Sequence, residues 1–264
     1  METIIEMKDL SLSRQGKELL KEINWTVKKG QTWAILGLNG AGKSTLLRLI
    51  MAELWKTKGQ LMVLGQTFGS GDIPSLRKKI GIVSSFMAER FPRQLLSEQI
   101  VLTGRYKSSI LYSAYQPAEL KEAKDLLAAL GAGDLIGRSY LSLSQGERQT
   151  LLIARSLMDQ PEILIFDEAT SGLDLFARER LLGQIERISQ LAEAPTILYV
   201  THHLEEISQA MSHVLLLKEG QVVAKGEKAQ ILNKEQLSRF YGQEVQVLPV
   251  NQGRYFVQIE VPPC

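Results

Sequence analysis

The sequence predicts an α/β fold, a largely parallel sheet covered by helices, with an antiparallel β region before it and a helical subdomain inserted into it. Three observations carry this. Strand-like apolar runs alternate with helix-like amphipathic stretches along most of the 264 residues. A glycine-rich turn, Gly37-Leu38-Asn39-Gly40-Ala41-Gly42-Lys43-Ser44-Thr45, separates one such run from a helical stretch. From about Phe86 to Met158 the strand signal fades and helical signals take its place.

In chain order, residues 3–13 alternate weakly (Ile5, Met7, Leu10, Leu12), and Leu19–Val27 is a second apolar-rich run. Gly16 between them suggests an antiparallel pair. Thr32–Leu36 reads as a short buried strand feeding the glycine turn, and Ser44–Ile50 opens a helix. Gly59 and Gly65 bracket a strand at Gln60–Leu64, and Gly81–Ser84 reads as another after the basic stretch Arg77-Lys78-Lys79. In the helical region Pro117 starts a helix over Glu119–Leu130, with Leu120, Ala123, Leu126, Leu127 and Leu130 on one face and Gly131 as its stop. The core resumes with a strand at Ile163–Phe166, a helix from Asp174 as cap to about Ala192, and a strand at Thr196–Val200. Val214–Leu217 and Gln221–Ala224 flank a hairpin turn at Lys218-Glu219-Gly220. Glu227–Phe240 reads as two short helices, and the tail beyond Gly242 can pair with itself as a hairpin.

Composition sets outer limits. Hydrophobic residues make up 44% and charged ones 23%, so a sizeable core is available. The net charge of +2, from 31 basic and 29 acidic residues, offers no argument for nucleic acid as a partner. The only cysteine is Cys264, which leaves no intrachain disulfide and no thiolate metal site. No apolar run approaches the length of a membrane span, and Met-Glu-Thr-Ile-Ile-Glu at the start lacks the order of a signal peptide. The expected location is cytoplasmic.

The chemistry gathers in a few motifs. Gly37–Thr45 fits the phosphate-binding pattern G-x-x-x-x-G-K-[ST]. A triphosphate needs many donors in a tight arc, and glycines let backbone N–H groups turn inward where side chains would block the approach. Lys43 supplies a mobile positive charge, the Ser44 hydroxyl can ligate Mg²⁺, and the following helix turns its positive end to the anion. Ile163–Glu168 is a buried-strand run ending in two carboxylates. After a phosphate-binding turn, such a pair suits Mg²⁺ support by Asp167 and general-base work by Glu168. Taken alone, Ser144-Gln145-Gly146-Glu147 reads sooner as a helix capping box than as an anion site at a helix start, and the company of the other motifs reverses that order.

The order of these motifs resembles one family. Gly37–Thr45, Leu143–Gln149 (carrying LSQGE), Ile163–Glu168, Ser171-Gly172-Leu173-Asp174 and Thr201-His202-His203 look like the P-loop, signature, Walker B strand, D-loop and H-loop of an ATP-binding cassette (ABC) ATPase. The resemblance covers roughly residues 3–240. It implies a P-loop NTPase fold with a RecA-like core, an antiparallel β subdomain and a helical subdomain at about 86–158, followed by the tail 241–264. It also implies ATP and Mg²⁺ as cofactors and a homodimer or paired cassettes, each ATP lying between one subunit's P-loop and the other's Ser144–Glu147. By position, Gly37, Leu38, Asn39, Gly40, Ala41, Gly42, Lys43, Ser44 and Thr45 bind the nucleotide with Ser144, Gln145, Gly146 and Glu147. Ser44 and Asp167 serve the metal, Glu168 polarises water, His202 contacts the γ-phosphate, and Asp174 communicates across the dimer.

The chain departs from the family pattern twice. Where an aromatic residue stacks on adenine it has Arg14, and where a glutamine follows the strand Gly81–Ser84 it has Ser85. A guanidinium can still stack on a base, whereas a serine is too short for the glutamine's reach from metal to membrane partner. Val101–Tyr106 resembles cassettes of metal-chelate importers. The resulting expectation is the ATP-hydrolysing subunit of a membrane transporter, peripheral on the inner face of the cell membrane, with separately encoded transmembrane subunits. The alternative is a soluble ABC ATPase in repair, translation or regulation.

Overall fold

A computed structural model describes residues 2–69, 71–84, 91–92, 94–108, 111 and 115–259. Ser85 and Cys264 lie outside these. The chain divides into two compact units, one formed by residues 1–77 and 196–264 and the other by residues 78–195.

The first unit opens with an antiparallel sheet. Strands β1 (Thr3–Arg14) and β2 (Lys17–Lys28) pair through a turn at Gln15-Gly16, whose φ values of 50° and 75° suit a tight hairpin. Register shifts interrupt the in-out alternation between Met7 and Leu10, and Ile5, Met7, Leu10, Leu12, Leu20, Ile23, Trp25 and Val27 are all buried. Strand β3 (Thr32–Leu36) is buried throughout and runs into the glycine turn, from which helix α1 (Lys43–Ile50) emerges. Strand β4 (Lys58–Val63) pairs with β1, and β5 (Gln66–Thr67) with β4. Helix α2 (Ile73–Lys78) follows.

The second unit holds strand β6 (Ile80–Ser84), then helices α3 (Ser97–Leu102), α4 (Pro117–Ala129) and α5 (Gln145–Leu157). Strand β7 (Ile163–Asp167) pairs in parallel with β6, Ser84 facing Asp167, and helix α6 (Leu175–Ser189) closes the unit. Pro117 takes the first position of α4, where a missing N–H costs nothing.

Back in the first unit, strand β8 (Thr196–Thr201) pairs in parallel with β3, whose other edge takes β9 (His213–Lys218). Strand β10 (Gln221–Glu227) returns antiparallel to β9 through Glu219-Gly220. Parallel strands buried on both faces need near-continuous apolar runs. Thr196–Thr201 is accordingly buried at every position. Helices α7 (Lys228–Ile231) and α8 (Lys234–Tyr241) precede β11 (Val245–Val250) and β12 (Arg254–Ile259), which pair as an antiparallel hairpin.

Candidate functional site

The glycine turn is shaped by its backbone. Gly40 has φ 78° and Gly42 has φ 102°, both in the left-handed region, and Gly42 caps α1 without a side chain. A Cβ at Gly42 would sit 3.0 Å from Leu20 Cδ2 and 3.2 Å from the Leu19 carbonyl oxygen, so β2 borders the turn directly. Two further hydrogen bonds fix the turn. The Gly37 N–H donates to the Thr201 carbonyl at 3.3 Å and the Gly220 N–H to the Ala41 carbonyl at 2.9 Å. The strands on both sides of β3 therefore hold the two ends of one loop.

Within the loop, Lys43 is only 6% exposed. Its ammonium donates to the carbonyls of Gly37 at 2.7 Å and Leu38 at 3.3 Å, folding the charge back over the loop. Leu38, Asn39, Gly40 and Ser44 are exposed, Thr45 is half-buried and Ala41 is buried. Arg14 is exposed where β1 turns into β2, the strand that borders the loop at Leu19 and Leu20. His202 follows β8, half-buried, its ring 4.0 Å from that of His203. A cavity of about 310 Å³ beside it is lined by Leu204, Glu205, Tyr241, Phe256 and Ile259, among others. These parts of the site share the first unit.

The second unit carries the other residues singled out in the sequence. Asp167 ends β7, and Glu168 follows with φ 47°, a left-handed backbone in a residue that is not glycine. Such a conformation costs about 1–3 kcal/mol and persists only where surrounding structure imposes it. Here the Glu168 carbonyl accepts the Ser171 N–H at 3.0 Å and the Thr170 carbonyl accepts the Leu173 N–H at 3.0 Å, turning the chain twice before α6. Asp174 caps α6, its carboxylate accepting the Ala177 N–H at 2.8 Å.

Ser144 caps α5 in a complete capping box. Its hydroxyl accepts the Glu147 N–H at 3.3 Å, and the Glu147 carboxylate accepts the Ser144 N–H at 2.7 Å. Both readings of this stretch thus share one geometry, since the cap leaves Ser144 and Gln145 exposed at the helix start. Gln145 reaches the Ser171 carbonyl at 3.5 Å, and Gly146 lies in the same first turn. Arg138 pairs with Glu147 at 2.6 Å. Partial burial works against ionisation of Glu147, but the Ser144 N–H and the Arg138 guanidinium overcome it, so its pKa ends below the ordinary glutamate value.

The oxygen donors Ser44 and Asp167 suit Mg²⁺, which takes one or two carboxylates together with substrate phosphates. Among the described residues no group of three His, Cys, Asp or Glu could form an all-protein metal cage. The Val101–Tyr106 stretch has structural employment. Thr103 accepts a hydrogen bond from the buried Arg155 guanidinium at 2.8 Å, and Arg105 pairs with Glu122 at 2.8 Å, tying α3 to α5 and α4. Sequence reasoning missed Arg138 and Glu206. Arg138 could have been sought as a counter-charge for Glu147, and Glu206 as the acid five residues beyond a strand-end threonine.

The family model described as ABC transporter matches residues 20–171, more than half of the chain. A Streptococcus mutans protein named as an ABC transporter ATP-binding protein is 58% identical over 258 residues, spanning 98% of this chain and 99% of its own. The chain belongs to the ABC transporter family. YlmA of Bacillus subtilis, named an uncharacterized ABC transporter ATP-binding protein, is 42% identical over 255 residues and covers 96% of both chains. Among solved structures, cbiO1 from Clostridium perfringens, part of the ABC transporter complex cbiONQ, superposes with a TM-score of 0.78 at 26% identity. It covers 90% of this chain and 94% of its own. An inward-facing structure described as a metal-chelate type ABC transporter gives 0.78 at 27% identity over 98% of this chain and 96% of that one. The fold is therefore that of a P-loop ABC cassette, and the chain is an ATP-binding, ATP-hydrolysing subunit that powers a membrane transporter. These matches favour transport over the soluble alternative. Among the described residues no helix is long and apolar enough to cross a membrane.

Proposed function

We propose that this cassette hydrolyses ATP with Mg²⁺ in a head-to-tail pair, each nucleotide lying between one copy's Gly37–Thr45 and the other's Ser144–Glu147. Closure of the pair then drives separately encoded transmembrane subunits at the inner face of the cell membrane. The observation that supports this best is the backbone of the glycine turn, left-handed at Gly40 and Gly42 and opening directly into α1. That conformation lets the N–H groups of Leu38, Asn39, Gly40 and Gly42 gather phosphate oxygens, while those of Gly37 and Ala41 are held by the Thr201 and Leu38 carbonyls, and the positive helix end adds to them. Lys43, already folded over the turn, exchanges backbone carbonyls for phosphate oxygens, and Thr45 adds a hydroxyl. Arg14 lays its guanidinium on the adenine face.

Ser44 and Asp167 would hold Mg²⁺, which would neutralise charge on the phosphate oxygens. Glu168, left-handed in backbone just past β7, polarises the attacking water. His202 contacts the γ-phosphate. Across the pair, the Ser144 hydroxyl accepts the capping N–H while its own proton is donated to phosphate. Glu147, where the family pattern has glutamine, would repel an anion, and the Arg138 guanidinium offsets that charge. Asp174 combines its cap with communication between copies.

Steady-state hydrolysis tests this reading. Turnover is expected to require Mg²⁺, to rise sigmoidally with ATP and to fall strongly in Ser44→Ala. Hyperbolic, Mg²⁺-independent turnover would contradict it. Purification from solubilised membranes is expected to bring down membrane-spanning subunits.

A further inference from the structure

A carboxylate that this mechanism does not use lies shortly after His202 in the chain. Glu206, 2% exposed, lies in the single helical turn Leu204–Glu206 that follows the histidine pair. Its Oε2 accepts the Tyr199 hydroxyl at 2.9 Å and the Thr201 hydroxyl at 2.5 Å. Tyr199 and Thr201 are two residues apart on β8, so the pleat sends both hydroxyls to one side, toward the same oxygen. The Thr201 hydroxyl oxygen in turn accepts the His203 N–H at 3.0 Å. His202 is thereby bracketed, because the residue before it and the residue after it meet at one hydroxyl. The Thr201 carbonyl also receives the Gly37 N–H at 3.3 Å. One threonine joins the start of the phosphate loop to the histidine segment.

Burying a carboxylate is costly unless strong donors meet it, and an apolar side chain of similar size would serve stability as well or better. A carboxylate with two hydroxyl donors instead fixes direction, since charge-assisted hydrogen bonds are short and geometrically demanding. We propose that Glu206, with Tyr199 and Thr201, forms a positioning set that holds His202 in the orientation needed at the γ-phosphate and couples it to the phosphate loop. This rests on the reading of His202 as the γ-phosphate contact.

The test compares His202→Ala, Thr201→Val, Thr201→Ser and the double variant Thr201→Val/His202→Ala, measuring kcat and KM for ATP, nucleotide binding and melting temperature. Misplacement of a contact near the reacting centre lowers rate more than affinity. Thr201→Val should therefore reduce kcat by about tenfold with KM and nucleotide binding unchanged. Thr201→Ser, which keeps the hydroxyl, should restore most of the rate. The double variant should be no slower than His202→Ala alone, because the threonine acts through the histidine. Should Thr201→Val fail to fold, Tyr199→Phe removes one donor to the same oxygen and carries the same comparison. A His202→Ala defect without any Thr201→Val defect, or a double variant slowed well below His202→Ala, overturns the proposal and leaves the reading of His202 standing. Wild-type turnover in His202→Ala overturns that reading, and this proposal with it.

Discussion

Replacing Gly42 by alanine isolates what the phosphate loop demands of its backbone. Left-handed backbone costs an ordinary residue about 1–2 kcal/mol. The new Cβ would also lie 3.0 Å from Leu20 Cδ2 and 3.2 Å from the Leu19 carbonyl, and crowding of that kind adds about 1–3 kcal/mol. Against this, alanine reduces the freedom of the unfolded chain, a gain of about 0.4–1 kcal/mol. The net loss is about 1–5 kcal/mol, equivalent at about 2 °C per kcal/mol to a melting temperature lower by roughly 2–10 °C in a chain of this size. Gly40 is the control. It has φ 78° but a Cβ there meets nothing within 4 Å, so Gly40→Ala should lose only about 1 kcal/mol. Thermal unfolding followed by circular dichroism, with nucleotide binding measured in parallel, distinguishes the two. If Gly42→Ala melts with Gly40→Ala and binds nucleotide as tightly, the close approach of β2 does not constrain the loop.

Three further outcomes are expected. Lys43→Ala should lose most nucleotide affinity by removing the charge folded over the turn; wild-type ATP binding, read by equilibrium titration, would count against the assignment. Ser144→Arg should abolish turnover, placing a bulky cation at the opposing phosphate site while leaving each monomer able to bind nucleotide. The depressed pKa of Glu147 means that its contribution to stability is present above the ordinary glutamate pKa and is lost as pH falls through the depressed value. The melting difference between wild type and Glu147→Gln should therefore exist at neutral pH and vanish in acid.

Much of this was legible in the sequence because the decisive features are locally encoded. Glycines at 40 and 42 announce positive φ before any partner is known, and the unbroken run Ile163–Phe166 announces a strand buried on both faces. Asp174 and Pro117 mark helix starts through chemistry confined to one turn. Helix α2 escaped notice although Asp72 accepts the Ser75 N–H at 3.1 Å and Pro74 sits in its first turn, because Leu76 is its one buried residue and leaves no periodicity to read. The site's supports were less visible. The strain at Glu168, the Arg138 partner of Glu147 and the burial of Glu206 all arise in irregular connections, where no helix or strand period reports which groups meet. The serine at 85, read as a departure from the family pattern, lies outside the described residues.

The central claim is that two copies enclose ATP and that Glu168 drives its cleavage. Glu168→Gln keeps the side chain's shape while removing its basicity. In size-exclusion chromatography with ATP and Mg²⁺, this variant should elute as a dimer and hydrolyse ATP at a small fraction of the wild-type rate. Elution as a monomer together with undiminished hydrolysis would contradict the account.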